Sequence, residues 1–92
     1  MKIKTIKKDD EPISMKQAQA FIGGYVTVVK LIDGKKMIVM EDALMKAPRP
    51  PINVEASKIL NKSGTYAFMK DVLGNAIIVN KDVNKGWYIW DN

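Results

Sequence analysis

The feature that most limits the fold of this chain is a hairpin signal at Asp33-Gly34. Residues 25–32 before this pair and residues 35–40 after it are rich in β-branched and other apolar side chains. An Asp-Gly pair between two such runs is typical of a two-residue β-turn, because both central positions of that turn need a positive φ. The sequence therefore predicts an antiparallel hairpin over residues 25–40.

A two-residue turn also predicts the register of this hairpin. It places Val29 opposite Ile38 and Leu31 opposite Lys36. Both faces of the hairpin are then largely apolar near its middle. We expect an interior element that is covered on one side by a helix.

Two short helices are predicted from capping residues. Ser14 and Gln17 form the spacing of a capping box, and Gly23 supplies a left-handed stop about two turns later. Asn53 is a suitable N-cap for a second helix over residues 54–60. Each helix has apolar residues on one face, so each is expected to pack against the sheet.

The remaining segments complete an α+β fold. Residues 1–8, 76–79 and 87–90 read as strands, and the proline-rich residues 47–52 read as a rigid connector. We predict one domain over residues 1–92, with a mixed or mainly antiparallel sheet of about four to five strands and two short helices. The length of 92 residues is enough for one core without disulfides or metal.

Composition indicates an ordinary globular protein of a reducing compartment. Hydrophobic residues make up 47% of the chain, and cysteine is absent. The longest apolar run is too short to cross a bilayer, and the N-terminus lacks the apolar core of a signal peptide. We expect a cytoplasmic protein with no membrane contact.

The sequence contains little that points to catalysis. Histidine and cysteine are both absent, which removes the commonest acid–base group and the commonest thiol nucleophile. Glu41 and Asp42 follow a predicted strand and are the most suitable carboxylates, although we expect their side chains to diverge into solvent. Gly23-Gly24 follows a helix instead of preceding one, so it does not have the arrangement of a phosphate-binding loop. We predict a protein that is not an enzyme and has no metal site or cofactor.

The aromatic residues near the C-terminus are the first candidate binding surface. In a strand, Tyr88 and Trp90 share one face while Trp87 lies on the other. One face is expected to meet the core. The other is a protein interface, a base-stacking surface or a second covered face. We expect a protein partner to contact Trp87, Tyr88 and Trp90 together with Arg49 and Pro50 of the connector.

Basic residues give a second candidate surface. The net charge is +5, and Arg49 is the only arginine, so nearly all of the cations are lysines. Alternation along the first strand places several lysines on one face, and two more follow the hairpin turn. The candidate anion-binding residues are Lys2, Lys4, Lys8, Lys35 and Lys36.

Several short segments resemble a family of small phage and bacterial domains of unknown function, the one numbered thirty-eight forty-six. These segments are Ile22-Gly23-Gly24-Tyr25-Val26-Thr27-Val28-Val29, Asp33-Gly34, Glu41-Asp42, Pro51-Ile52-Asn53-Val54-Glu55-Ala56 and Leu73-Gly74-Asn75-Ala76-Ile77-Ile78-Val79. The resemblance implies a compact α+β fold and an accessory, often phage-encoded, intracellular role, which for a viral protein means the host cytoplasm. It brings no catalytic residues.

The sequence therefore favours a non-enzymatic interaction protein, such as a phage accessory factor that acts on a host component. Its partner is expected to be another protein or a second copy of the same chain in a homodimer, because an apolar edge strand is a template for symmetric pairing. The alternative is a module that binds nucleic acid or sequesters a nucleotide, using the lysines.

Overall fold

The structure is a computed structural model that describes residues 1–7, 10, 13–31, 34–63 and 71–80. The elements in chain order are β1 (Ile3–Ile6), α1 (Met15–Ile22), β2 (Val26–Lys30), β3 (Lys36–Met40), a 3-10 turn (Ala43–Met45), α2 (Val54–Ser63) and β4 (Ala76–Val79). The strands form one sheet in the order β1-β4-β3-β2, in which β1 and β4 are parallel and the other neighbours are antiparallel. The predicted α+β class, with a mixed sheet and two short helices, is confirmed.

Helix α1 begins and ends at the residues that the sequence indicates. The Gln17 amide donates to Ser14 Oγ at 3.1 Å, and the Ser14 amide donates to Gln17 Oε1 at 2.9 Å. This reciprocal pair satisfies two amides that the first helical turn leaves without partners. Gly23 ends the helix with a φ of 92°, a conformation that glycine adopts without the strain of a Cβ atom.

The hairpin forms, but its predicted register is wrong by one residue. Val29 lies opposite Met37, not Ile38, and the Leu31 amide donates to the Lys35 carbonyl at 2.8 Å. Leu31 and Lys35 are therefore the last paired residues, and three residues lie between them in the chain. Gly34, the last of the three, has a φ of 89°. A left-handed glycine at this position is typical of a three-residue hairpin loop. The two-residue prediction counted both Asp33 and Gly34 as turn centres.

The sheet is covered on both faces, which adds a second cover to the one helix that the sequence predicted. Alternate residues of β3 and β4 belong to two separate core clusters. Helix α1 contributes Ala18 and Ile22 to the first cluster. The buried members of this cluster are Ile6, Ile13, Ala18, Ile22, Ile38, Ile77 and Val79. Helix α2 contributes Ala56 and Leu60 to the second cluster. The buried members of this cluster are Val29, Leu31, Met37, Val39, Ala56, Leu60, Val72, Ala76 and Ile78. The fold therefore has three layers, with the sheet between the two helices.

Strand β4 shows this arrangement most clearly because all four of its side chains are buried. A strand that is buried on both faces reads as a continuous apolar run, and Ala76–Val79 has this pattern. Its two neighbours are β1 and β3, so it is an inner strand of the sheet. The predicted strand over residues 87–90 lies outside the described residues. Among the helices that the structure describes, none has the length and apolar character needed to span a membrane.

Candidate functional site

Strand β3 is followed by a turn that places two large apolar side chains in solvent. The Met45 amide donates to the Asp42 carbonyl at 3.0 Å, and the Lys46 amide donates to the Ala43 carbonyl at 3.3 Å. Ala43 is buried, whereas Leu44 is 69% exposed and Met45 is 87% exposed. The backbone of the turn is thus fixed while its two largest side chains point away from the core. We call Leu44 and Met45 the apolar turn pair.

An open groove of about 440 Å³ lies beside this turn. Its walls come from α1, from the start of β2 and from the two residues that flank the 3-10 turn. Its volume is in the range of small-molecule sites. We call it the Asp42 groove, and its lining residues are Lys16, Gln19, Ala20, Gly24, Tyr25, Asp42 and Lys46.

The carboxylate of Asp42 is the most unusual group in this groove. Its Oδ1 atom is buried and has no hydrogen-bond partner among the residues that the structure describes. A Cβ atom added at Gly24 would lie 3.8 Å from this oxygen and 3.4 Å from Lys46 Nζ. Both distances are ordinary van der Waals contacts, so the charged groups of Asp42 and Lys46 both lie close to the backbone at Gly24.

The connector after the turn is attached to the sheet at several points. The Gly74 amide donates to the Pro51 carbonyl at 2.8 Å, and Ile52 forms an isolated antiparallel bridge with Leu73. Pro50 is half-buried, with its Cβ 3.5 Å from where a Cβ at Gly74 would lie, whereas Arg49 is exposed. Of the predicted contact residues, Arg49 and Pro50 thus lie on an anchored segment. Trp87, Tyr88 and Trp90 lie outside the described residues.

Asn53 joins three elements at this end of the sheet. Its Oδ1 accepts from the Ala56 amide at 3.1 Å, as the predicted N-cap requires. Its Nδ2 also donates to the Gly74 carbonyl at 3.0 Å and to the Lys2 carbonyl at 3.3 Å. The sequence indicated only the cap, because the other two partners are distant along the chain.

Asn75 has a similar linking role that the sequence analysis missed. Its Nδ2 donates to the Phe21 carbonyl at 2.8 Å, and its Oδ1 accepts from the Lys2 amide at 2.9 Å. The end of α1 and the start of β1 are thereby tied to the start of β4. These partners are distant along the chain, so the local sequence around Asn75 does not indicate them. Both asparagines stabilise the end of the sheet that carries the groove and the turn.

The predicted anion-binding lysines do not gather in one place. Lys2 lies beside the first residue of β4, whereas Lys36 pairs with Val79 at the other end of that strand. Lys4 Nζ lies 6.0 Å from the centre of the Phe21 ring. Lys35 adjoins Lys36 in the chain at the start of β3, and Lys8 lies outside the described residues. The hairpin end of the sheet also carries Lys30, directly opposite Lys36, which the sequence analysis did not single out.

The two carboxylates that were considered for catalysis have different surroundings. Glu41 is exposed, and its amide donates to the Tyr25 carbonyl at 2.9 Å, while Asp42 is half-buried in the groove. Across the described residues, no group of three or more His, Cys, Asp or Glu side chains is placed to hold a metal ion. The site thus offers one buried acceptor oxygen beside lysines, an arrangement suited to binding.

No family model, curated protein or solved structure matches this chain. The resemblance to the family numbered thirty-eight forty-six therefore stays a prediction.

Proposed function

We propose that this chain is a non-enzymatic binding protein that contacts a partner protein through the apolar turn pair. The observation that carries this proposal is the exposure of Leu44 and Met45 on a turn whose backbone is hydrogen-bonded. Such side chains gain little by folding and release water when a partner covers them. An anchored turn also loses little conformational entropy on binding. If the phage resemblance holds, the partner is a host protein.

The apolar turn pair and the charges around it indicate what kind of partner would fit this surface. Two adjacent flexible or branched apolar side chains fit an apolar pocket, which is how central contacts of interfaces are commonly built. The net charge of +5 favours a partner with an acidic surface around that pocket, because opposite charges speed association. The exposed Arg49 on the neighbouring connector is the side chain best suited to a bidentate contact with a carboxylate at the rim.

Affinity capture with matched variants tests this proposal. The immobilised wild-type chain should recover a discrete protein from an extract of its native cell, and a Leu44→Ser, Met45→Ser double variant should lose it. Val54→Ser is the control, because Val54 is 60% exposed at the first position of α2 and belongs neither to the turn nor to the edge of the sheet. Circular dichroism confirms that all forms are folded. Equal recovery by all three forms, or no discrete protein with wild type, contradicts the proposal.

A second candidate function, anion binding, is favoured by one observation at the other end of the sheet. Lys30 lies directly opposite Lys36, and a like-charge pair at such positions is unfavourable unless an anion lies nearby. Binding of a single-stranded oligonucleotide would weaken steeply with salt and would fall in a Lys30→Ser, Lys36→Ser variant. Retention of full affinity by that variant would exclude this surface.

A further inference from the structure

The Asp42 groove contains a carboxylate oxygen that makes no hydrogen bond within the part of the chain that the structure describes. Asp42 Oδ1 is buried and has no hydrogen-bond partner among the described residues. Buried carboxylate oxygens in folded proteins are nearly always hydrogen-bonded, because they lose their hydration. An N–H group of a bound ligand would supply the missing donor once the side chains that cover this oxygen move aside.

Two lysines place positive charge beside this acceptor. Lys16 lines the groove from α1, and Lys46 lines it from the residue after the 3-10 turn. Lys46 Nζ lies 3.4 Å from where a Cβ at Gly24 would be, so its ammonium group and Asp42 Oδ1 adjoin the same point of the backbone. A long lysine side chain can turn away from that point toward an anion, which would open the carboxylate to a ligand. The groove is therefore suited to a ligand that carries both a donor edge and a negative group.

An exposed aromatic ring forms a third part of the groove. Tyr25 is 68% exposed, and its backbone is fixed because its carbonyl accepts from the Glu41 amide at 2.9 Å. A tyrosine in this position offers a face on which a flat ring can stack. No core cluster among the described residues includes Tyr25.

We propose that the Asp42 groove binds a guanine nucleotide. Guanine presents two N–H donors side by side, which match the two oxygens of one carboxylate. Adenine and cytosine place an acceptor beside their amino group, and the N–H of uracil lies between two carbonyls. The base would stack on Tyr25, and the phosphate would lie between Lys16 and Lys46. This inference goes beyond the proposed function, which uses the apolar turn pair and not the groove.

Calorimetric titration of the purified full chain tests the proposal. We expect guanosine monophosphate to bind at least tenfold more tightly than adenosine monophosphate. Asp42→Asn should weaken guanosine monophosphate at least tenfold, because one carboxylate oxygen becomes an amide donor. Glu41→Gln removes the same charge one residue away, from a side chain that does not line the groove, and should leave the affinity unchanged.

A second variant and further ligands complete the titration experiment. If Asp42→Asn fails to fold, Lys46→Met provides the second variant, and it should weaken the nucleotide while sparing guanosine. A short oligonucleotide that ends in guanosine distinguishes a strand end from a free nucleotide as the source of the same chemistry. The proposal is overturned if guanosine monophosphate does not bind at millimolar concentration, if inorganic phosphate competes equally well, or if adenosine monophosphate binds as tightly. Because the apolar turn pair is unchanged in every variant, these outcomes are independent of the capture experiment.

Discussion

The buried side-chain amide of Asn53 joins three parts of the chain at the groove end of the sheet. The side chain is 2% exposed and makes one hydrogen bond within its own helix and two to other elements. Those two bonds satisfy carbonyls of Lys2 and Gly74 that border the start of β1 and β4. Loss of Asn53 would take a buried donor from the Gly74 carbonyl, whereas the Lys2 carbonyl would keep the Ala76 amide at 3.1 Å. Because a buried carbonyl without its donor is costly, Asn53 contributes more than an ordinary helix cap.

Replacement of Asn53 measures that contribution. Asn53→Ala should lower the free energy of unfolding by about 2–4 kcal/mol, of which a lost cap accounts for about 1 kcal/mol and lost buried bonds for the rest. Ser14→Ala is the matched control, because it removes an exposed cap with no bond to another element, and it should cost about 1 kcal/mol. Urea unfolding gives both values. A loss for Asn53→Ala no larger than for Ser14→Ala would disprove the linking role.

Residues whose partners are close in sequence were predictable, and those with distant partners were not. The Ser14 capping box spans three residues, so its chemistry is visible in the sequence. Asn75 bonds to Phe21 and Lys2, at separations of 54 and 73 residues, which no local pattern encodes. The groove was missed for the same reason, because α1, β2 and the turn meet there only in the folded chain.

Among the elements, β4 carries the clearest physical consequence of the three-layer fold. Ile77 contacts the cluster on the α1 side, and Ile78 contacts the cluster on the α2 side. A sheet with one solvated face would leave one of the two exposed. The four apolar residues Ala76–Val79 predicted a strand, but they did not predict which helix covers which face.

Conservative truncation of the two isoleucines tests this arrangement. Ile77→Val and Ile78→Val should each lower the free energy of unfolding by about 0.5–1.5 kcal/mol, because each removes a buried methylene from a packed cluster. Val28→Ala on the edge strand β2 should cost less, since that side chain is half-exposed. Chemical denaturation of the three variants provides the comparison. If either isoleucine variant is as stable as wild type, that face of the sheet is not packed as described.

The hairpin shows which features of a turn the local sequence determines and which it does not. Asp33-Gly34 correctly indicated where the chain reverses, and Gly34 does adopt a positive φ. The register depends on whether the loop has two or three residues, and Asp-Gly fits both geometries. The one-residue difference was therefore beyond what the local sequence determines.

At the scale of the whole molecule, the free edges of the sheet bear on self-association. Strand β2 pairs only with β3 among the described residues, and it carries the partly exposed Val28. An edge strand of this kind can pair with its copy across a two-fold axis. The expectation of a homodimer follows from this edge.

Sedimentation over a range of micromolar concentrations tests the dimer. A species of twice 10.3 kDa should form as concentration rises, and Val28→Lys should shift it to the monomer without loss of secondary structure. A constant mass of 10.3 kDa at every concentration would rule out the dimer. That result would leave the turn and the groove as the surfaces available for binding.

Site-specific photo-crosslinking in the native cell tests most directly whether this protein binds its partner through the turn after β3. A photoreactive amino acid replaces Met45 at the apolar turn pair, Lys36 at the hairpin end or Val28 on the β2 edge, one position at a time. We expect a discrete crosslinked protein from position 45 and none from positions 36 and 28 beyond a product of twice the chain mass. A discrete heterologous product from position 36 or 28, with none from position 45, would contradict the claim that this protein binds its partner through the turn after β3.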